Sequence, residues 1–405
     1  MNASTIACVG VCGYLIGVSL PLTPSFDLSL VFLVLLASLA AVMGLKQPKR
    51  PSSLAVIPAL GFLVARLLSS MVAAHDLRSL QLLAPFLPAL LLFFVLSEWV
   101  ETQHQIIVIY VSLTVTGFVL ATTLLIVSWV SNTADADAWA RAIPSPMLVV
   151  KNDITVVAVL APLALAVASL RPRRLVLLIV LGFFASLIIV IVLVQSRTAL
   201  LTLVVAIVCF TALVGRKKFG HRKHLPLLLL GSIVAIAFVV DAVLGFRFVH
   251  KAMHDWHGHG RLALWAAALA MFHNAPFLGH GPYSYVLHYG THLDALELPA
   301  WIVTDPRVTP WAHNLYLELL AEQGVVGLVS FLVLSGVGIS MLTQIIRSRH
   351  HDIRCLGAGA GSAFLAFLTA AFFELSFIRV WVTIILFTLF GLLSTMSRTE
   401  KRGIL

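Results

Sequence analysis

Long runs of apolar residues, separated by short polar segments, dominate the pattern of the chain. An α-helix needs about 20 predominantly apolar residues to cross the hydrocarbon core of a bilayer, and runs near that length recur throughout. They fall near residues 5–22, 28–45, 54–73, 82–97, 106–130, 154–170, 175–195, 198–214, 225–244, 323–346, 355–373 and 378–396. The pattern predicts twelve membrane-spanning helices. We expect the first run to be a retained span, because it lacks the basic start and cleavage site of a signal peptide.

The composition agrees with a membrane protein. Apolar residues make up 60% of the 405 residues and charged residues only 11%, whereas about 25% of an average soluble protein is charged. This balance excludes an ordinary soluble enzyme. The formal charge of +10 would also suit a nucleic-acid-binding protein, so the positions of the charges decide between the two classes.

The basic residues lie mainly on one side of the predicted membrane. Five clusters contain 17 of the 27 Lys and Arg residues. The clusters are Lys46–Arg50, Arg171–Arg174, Arg216–Lys223, Arg347–Arg354 and Arg398–Arg402. Twelve spans place all five on the same side, which the positive-inside rule assigns to the cytoplasm together with both termini. Charge placement therefore predicts membrane topology and no nucleic-acid partner.

The run from 175 to 214 contains the boundary that is hardest to read. Its only interruption is the segment Gln195–Thr198, which has neither glycine nor proline. The basic clusters on either side require an even number of crossings, and about 40 residues rising 1.5 Å each cover about two membrane thicknesses. We therefore predict two spans, with Arg197 at the periplasmic rim.

Residues 245–313 form a long loop on the predicted periplasmic side. The loop has 69 residues and carries nine of the fifteen histidines, and loops of this length are usually functional. Within it, Leu262–Phe272 is apolar but too short to span, which predicts a helix at the bilayer surface. The predicted organisation is nine spans in 1–244, this loop with short surface helices, and three spans with a cytoplasmic tail in 314–405.

The loop ends in a histidine that precedes the tenth predicted span. No proline lies between His313 and Ile346, so a single helix there would be about 50 Å long and would project into the periplasm. A neutral imidazole in that place can take a proton from a sugar hydroxyl. A capping or packing role for His313 explains the pattern equally well. Asn314, Glu318 and Glu322 follow on one helix face, and the first two are candidates for binding substrate.

Arginines near the predicted periplasmic surface are candidates for binding a lipid diphosphate, because a guanidinium holds phosphate oxygens through two parallel hydrogen bonds. Arg197 and Arg261 are the main candidates. The alternative is that Arg197 snorkels at a helix end and Arg261 simply begins the surface helix. Arg66 lies inside a predicted span, where a charge is costly and often functional, with snorkelling as the rival interpretation. Weaker candidates for the same anionic surface are Arg78, Arg141 and Lys151.

Metal and disulfide chemistry has little support in the sequence. The run from His254 to His259 has ligand-like spacing but matches no H-E-x-x-H pattern, so a metal site is a minor alternative. The cysteines are Cys8, Cys12, Cys209 and Cys355. They lie in apolar runs or beside a basic cluster, where none can pair across a periplasmic loop. We predict no metal and no cofactor.

Several short motifs together resemble the O-antigen ligase and polymerase superfamily, both in their order and in their position around the long loop. They are Ser196-Arg197, Gly260-Arg261 with Trp265, Pro276-Phe277-Leu278-Gly279-His280-Gly281, His313-Asn314-Leu315-Tyr316-Leu317-Glu318, and Glu322-Gln323-Gly324 with Gly327. The remaining spans agree with the superfamily only in number and hydropathy. Within it, the chain looks most like the O-antigen ligases of lipopolysaccharide assembly.

The resemblance implies an all-α polytopic glycosyltransferase of the GT-C type, with twelve transmembrane helices in the bacterial inner membrane and an active site facing the periplasm. The implied reaction is an inverting, metal-independent transfer of O-antigen glycan from undecaprenyl diphosphate to a sugar hydroxyl of lipid A-core. It also implies that His313 is the catalytic histidine and that Arg197 and Arg261 are essential arginines.

Three other functions remain open. An O-antigen polymerase would use the same donor with a second lipid-linked glycan as acceptor, but such enzymes tend to have two sizeable periplasmic loops and here only one is large. A protein-glycosylating ligase is disfavoured because the chain ends soon after the last predicted span. A lipid-linked oligosaccharide flippase would have many spans, with most of its polar residues lining the transmembrane interior.

We predict that turnover needs no divalent metal, because arginines that hold a diphosphate leaving group already neutralise its charge. Purified protein treated with EDTA should retain its transfer activity. Loss of that activity, restored by one divalent ion, would revive the metal site at His254–His259.

Overall fold

The structure, a computed structural model, describes residues 3–19, 23–44, 55–72, 86–130, 150–170, 173–214, 259–302 and 311–402, with scattered positions in 231–250 and residue 304. Within these ranges the fold is entirely helical and contains no β-strand. In chain order the helices are α1 (Ala3–Ser19), α2 (Thr23–Gly44), α3 (Val56–Val72), α4 (Phe86–Trp99), α5 (Gln103–Val130), α6 (Val150–Val159), α7 (Ala161–Leu170), α8 (Arg174–Leu193), α9 (Arg197–Val214), α10 (His259–Asn274), α11 (Tyr285–Asp294), α12 (Leu315–Ile346), α13 (His351–Ala371) and α14 (Val380–Arg402).

Six of the described helices are long and apolar enough to cross a membrane, namely α5, α8, α9, α12, α13 and α14. The protein is therefore a multi-pass membrane protein, as its composition predicted, and the part that the structure describes is all-α. The first four predicted spans correspond to α1 to α4. The predicted span at 225–244 lies largely outside the described residues. The total of twelve spans, the three-part division of the chain and the GT-C class stay predictions.

The predicted span at 154–170 is divided into α6 and α7. The division falls beside Pro162, which has no amide hydrogen and whose ring disturbs the preceding helical turn. Two hydrogen bonds of 3.0 Å form the turn at the break. The amide of Leu160 donates to the carbonyl oxygen of Val157, and the amide of Leu163 donates to that of Leu160.

The predicted boundary between the spans at 175–195 and 198–214 is confirmed. Helix α8 ends at Leu193 and α9 begins at Arg197. Between them Gln195 adopts a φ of 56°, a left-handed conformation that non-glycine residues rarely take. This turn is made without glycine or proline, which explains why its position was hard to read in the sequence.

Hydrogen bonds join the ends of α4, α12 and α14 at one end of the helical bundle. Arg398 of α14 donates to the carbonyl oxygens of Glu98 and Val100, at 3.0 and 2.7 Å. Ser348, just after α12, donates to the carboxylate of Glu400 at 2.6 Å. We call this the basic end, because two basic clusters lie there. Helices α12, α13 and α14 are membrane-length, so the residues before α12 and those between α13 and α14 lie at the opposite end.

Helix α12 is broken at Gly324. Its φ of 62° and ψ of −162° belong to a region of backbone conformation that is essentially restricted to glycine. The prediction of one continuous helix from 313 to 346 was therefore wrong. The absence of proline suggested continuity, but the break is made by a glycine, which is tolerated inside many helices and gives a weaker signal.

The loop segment 276–281 satisfies the backbone groups that this break leaves open. Four hydrogen bonds of 2.8 to 3.2 Å join it to α12: the amides of Val325 and Val326 donate to Pro276 and Phe277, and those of His280 and Gly281 donate to Ala321 and Glu322. The hydroxyl of Ser69 on α3 lies 2.7 Å from the carbonyl oxygen of Leu278 and 2.9 Å from that of Glu322. Unsatisfied backbone groups cost several kcal/mol in a bilayer, so these bonds fix the loop on α12.

We predict that Gly324→Ala lowers the thermal stability of the protein. A Cβ at this position would collide with the backbone of Phe277, and the φ of Gly324 disfavours any side chain. The free energy of unfolding should fall by about 1 to 3 kcal/mol, the usual cost of one strained backbone conformation. Gly336→Ala in the same helix is the matched control, because nothing lies within 4 Å of its added Cβ. Equal melting temperatures for the two variants in detergent would contradict the assigned role of the break.

The positive-inside prediction places Thr291 in the periplasm and Arg349 in the cytoplasm, and both side chains are exposed. Single cysteines at these positions, in a chain whose four native cysteines are replaced by serine, should therefore differ in labelling. An impermeant thiol reagent added to the periplasmic side should label T291C at once and R349C only after the membrane is disrupted. The reverse pattern would overturn the topology.

Candidate active site

His313 lies in the segment Trp311–Asn314 that leads into α12. Its φ is 52°, a strained conformation of the kind that is often found at functional sites. The next residue, Asn314, caps α12, because its side-chain oxygen accepts the amides of Tyr316 at 3.0 Å and Leu317 at 3.2 Å. This cap fixes the direction in which the helix starts. The expected contact of Asn314 with substrate stays a prediction.

Helix α10 contributes Arg261 and Trp265, which lie one turn apart on the same face. The indole N–H of Trp265 donates to the carbonyl oxygen of Ala312 at 3.1 Å, directly before His313. The bounds of α10 confirm the predicted short helix around Leu262–Phe272, while its position at the bilayer surface stays a prediction. Its apolar side packs with residues of α11, of α12 and of the segment before α12, in a cluster formed by Leu264, Ala268, Met271, Tyr285, Ala312 and Ala321.

Glu374, in the connection between α13 and α14, joins the two predicted site residues. Its Oε1 lies 3.1 Å from Nδ1 of His313, and its Oε2 lies 2.9 Å from a terminal nitrogen of Arg261. The Glu374 side chain is only 7% exposed, whereas Arg261 is 37% and His313 is 22% exposed. One buried carboxylate thus holds two partly exposed groups from different parts of the chain.

The contact with Glu374 determines which nitrogen of His313 carries the proton. An ionised carboxylate only accepts hydrogen bonds, so Nδ1 must be the donor. The indole N–H of Trp311 also lies 3.2 Å from Nδ1, but the charge-assisted bond to the carboxylate is the stronger one. With Nδ1 protonated, Nε2 of the neutral ring has a free electron pair. The site therefore presents a proton acceptor, Nε2 of His313, whose orientation is fixed by the Glu374 carboxylate.

Arg66 on α3 is fully buried, with 0% of its surface exposed. Its guanidinium carbon lies 4.0 Å from the ring centroid of Phe86, 5.3 Å from that of Tyr283 and 5.6 Å from that of Phe377. Its charge interacts with Tyr283, Glu322 and Glu318. The snorkelling interpretation of Arg66 is wrong, because a snorkelling side chain reaches water. Binding of substrate by Arg66 stays a prediction.

Two glutamates of α12 share this interior. Glu318 accepts the hydroxyl of Ser376 at 2.7 Å and the amide of Phe377 at 3.3 Å. Glu322 accepts the amide of Tyr285 at 3.1 Å. Both carboxylates interact electrostatically with Arg66. Their predicted common face is therefore directed into the protein, and the contact of Glu318 with substrate stays a prediction.

Arg197 is the exposed first residue of α9. The thiol of Cys355, near the start of α13, lies 3.9 Å from the carbonyl oxygen of Ala166 in α7, so α7 ends near the basic end. Helix α8 starts soon afterwards and is about 30 Å long at 1.5 Å per residue. The turn before Arg197 therefore lies toward the opposite end, as His313 does. The structure joins Arg261 and His313 through Glu374, and a place for Arg197 at the same diphosphate stays a prediction.

Several predicted residues lie outside what the structure describes. Arg78, Arg141 and His254–Gly258 fall outside the described residues, and Lys151 belongs to α6 but its side chain is not described. Their expected roles in binding anions or a metal stay predictions.

Three histidines of the loop, one before α11 and two within it, pack together beside the end of α10. The ring of His280 lies 5.0 Å from that of His288 and 5.4 Å from that of His292, centroid to centroid. Burial lowers the pKa of His280 and of His288, so both are neutral at pH 7. His280 bonds the carbonyl oxygen of Met271 at 3.0 Å, and His292 bonds the side chain of Asn274 at 2.9 Å. Within the described residues, no group of three or more His, Cys, Asp or Glu side chains is arranged to hold a metal ion.

Sequence reasoning missed Glu374. It lies 61 positions from His313 and 113 from Arg261, and pairing at such separations cannot be read from one sequence. A weaker signal was present. Glu374 is an acidic residue in the short break between the last two predicted spans, and the topology puts that break on the same side as His313.

The comparison with known proteins agrees with the motifs. A family model described as O-antigen ligase matches residues 181–332, a segment that includes Arg197, Arg261 and His313 and ends before Glu374. The match supports the assignment to the O-antigen ligase and polymerase superfamily that the motifs predicted. A search of curated proteins returned no match.

Proposed function

We propose that the protein transfers O-antigen glycan from undecaprenyl diphosphate to a sugar hydroxyl of lipid A-core, at the periplasmic face of the bacterial inner membrane. The family match supports an activity of the O-antigen ligase or polymerase type. The single observation that carries the catalytic proposal is the Glu374 carboxylate bound to both His313 and Arg261.

In this proposal His313 is the general base. Its Nε2 removes the proton of the acceptor hydroxyl as the oxygen attacks the anomeric carbon of the donor glycan, and inversion follows from attack opposite the leaving group. The Nδ1 proton remains on the ring and donates to Glu374, which orients the imidazole and stabilises the positive charge that it gains. The base needs only a hydrogen-bond distance to the acceptor, which its partial exposure permits.

The arginines hold the leaving group. As the glycosidic bond breaks, its electron pair goes to the diphosphate, and guanidinium donors offset the growing negative charge. Arg261 uses one terminal nitrogen for Glu374, but a guanidinium has five N–H donors and keeps others for phosphate. Arg197 and Arg261 both lie in the first turn of a helix. Free amides and the helix dipole favour anions at such positions.

Polymerase and flippase activities are the two alternatives to the proposed ligase activity. A polymerase differs from a ligase only in its acceptor, and the single large loop of this chain favours the ligase. A flippase needs polar groups that face a pathway through the membrane. The buried cluster of Arg66, Glu318 and Glu322 is 0%, 3% and 5% exposed and so lines no open pathway, which disfavours the flippase.

The test of function is the identity of the product. Purified protein in nanodiscs should be incubated with undecaprenyl diphosphate-linked glycan and either lipid A-core or a second donor molecule. We expect glycan on lipid A-core, detected by mass spectrometry. Elongated lipid-linked glycan would identify a polymerase. Passage of the glycolipid across vesicle membranes without transfer would identify a flippase.

The two chemical roles predict different kinetic defects. His313→Ala should lower kcat by about 10² to 10⁴, the usual contribution of a general base, with little change in donor binding. Arg197→Lys and Arg261→Lys keep the charge but lose the two-pronged contact, so each should weaken both donor binding and turnover. Arg349→Lys, an exposed arginine at the basic end, is the control and should behave as wild type. Full activity of H313A would contradict the general-base assignment.

A further inference from the structure

The connection between α13 and α14 is tied to α12 by Glu318. One oxygen of its carboxylate, Oε1, accepts the hydroxyl of Ser376 at 2.7 Å and the amide of Phe377 at 3.3 Å. The oxygen of Ser376 in turn accepts the amide of Ile378 at 3.2 Å. Glu374 lies two residues before Ser376. The turn that carries Glu374 is therefore fixed, through its side chains and its backbone, to a single oxygen of Glu318.

The apolar side of the same turn is also held. Tyr283 donates its hydroxyl to the carbonyl oxygen of Phe377 at 3.0 Å, and burial raises the pKa of Tyr283 to about 12, so the donor keeps its proton at neutral pH. The ring of Phe377 contacts those of Phe62, Phe86 and Phe331, with centroids 5.6, 5.5 and 6.0 Å away. These contacts fix the end of the turn at Phe377, while Glu318 also holds Ser376, which is nearer to Glu374.

Stability alone does not account for an acid at this position. Glu318 is 3% exposed, and its Oε2 has no hydrogen-bond partner among the described residues. Burying a carboxylate without full compensation costs several kcal/mol, and replacing buried ionic groups by apolar ones of similar size is often neutral or stabilising. Arg66 offsets part of the charge. Besides offsetting part of the buried Arg66 charge, Glu318 imposes the geometry of the turn through its bonds to Ser376 and Phe377.

We propose that Glu318 is a positioning residue for Glu374. By holding Ser376 and Phe377, it keeps the Glu374 carboxylate at hydrogen-bond distance from both His313 and Arg261. Glu318 acts through Glu374 and does not touch the substrate, which differs from the substrate-binding role that its sequence position predicted. The inference rests on the proposed function, in which Glu374 orients the general base.

The kinetic test separates positioning from general damage to the fold. E318Q retains an oxygen that accepts from Ser376 and Phe377, whereas E318A has none. We expect E318Q to keep near-normal kcat, and E318A to lose about tenfold or more in kcat with donor KM changed less than about twofold. The effects of mutating residues that act as a unit do not add. In the E374Q background, E318A should therefore change kcat by less than about twofold.

Two further variants guard against misfolding. S376A leaves Glu318 intact and removes its hydroxyl partner, so it should lower kcat in the same direction as E318A by a smaller factor. S335A removes another buried hydroxyl from α12 and should leave kcat unchanged. Melting temperature and gel filtration in detergent establish that each variant is folded.

A second measurement requires no turnover. The Nδ1 proton of His313 can be followed by NMR in protein labelled with ¹⁵N-histidine, with the resonance assigned by its loss in H313A. We expect a downfield resonance that disappears in E374Q, moves upfield in E318A and S376A, and is retained in E318Q.

Three results would overturn the proposal: additive losses in E318A/E374Q, equal damage from E318Q and E318A, or an unchanged His313 resonance in folded E318A. If the wild type transfers glycan to neither acceptor, the proposed function fails. The resonance of His313 then still decides whether Glu318 positions Glu374.

Discussion

The arrangement of the site depends on one carboxylate that two distant parts of the chain share. Arg261 begins a helix of the long loop, and His313 ends that loop at the start of α12. Neither group attracts the other, because one is a cation and the other becomes a cation when it accepts a proton. Glu374 binds both, at 2.9 and 3.1 Å. Glu374 itself lies in the connection between the membrane-spanning helices α13 and α14. It therefore links His313, Arg261 and the helical bundle in one geometry.

A second constraint is that the lipid bilayer offers no hydrogen bonds to the protein backbone. A helix break in a bilayer leaves amides and carbonyls that water cannot reach, so protein must bond them. The break of α12 at Gly324 is bonded by loop residues 276–281 and by Ser69 of α3. The loop thereby becomes part of the hydrogen bonding of the bundle, and α10, which carries Arg261, is attached directly before the bonded segment. A loop that was only tethered at its ends would not place an arginine against Glu374 to within a hydrogen bond.

The sequence was sufficient for features that depend on local chemistry. Apolar run length located the helices, and charge parity located the turn before Arg197. The motifs singled out Arg261 and His313, which the structure brings together on Glu374, while their catalytic roles stay predictions. It was insufficient where a feature depends on contacts between distant segments. Gly324 carries no local signal that distinguishes a break from an ordinary helical glycine. Arg66 looked able to reach the surface, and only the rings of Phe86, Tyr283 and Phe377 show that it is enclosed.

We propose that His313, Arg197 and Arg261 surround one lipid diphosphate while Glu374 orients His313. The most direct test is a cryo-EM structure of the protein with an unreactive analogue of undecaprenyl diphosphate-linked glycan. We expect the diphosphate to lie between Arg197 and Arg261, with Glu374 still hydrogen-bonded to Nδ1 of His313. We also expect Nε2 of His313 to face the anomeric carbon with room between them for the attacking hydroxyl of the acceptor sugar. A diphosphate more than about 12 Å from His313, beyond the reach of one bridging sugar by hydrogen-bond distances, would contradict it.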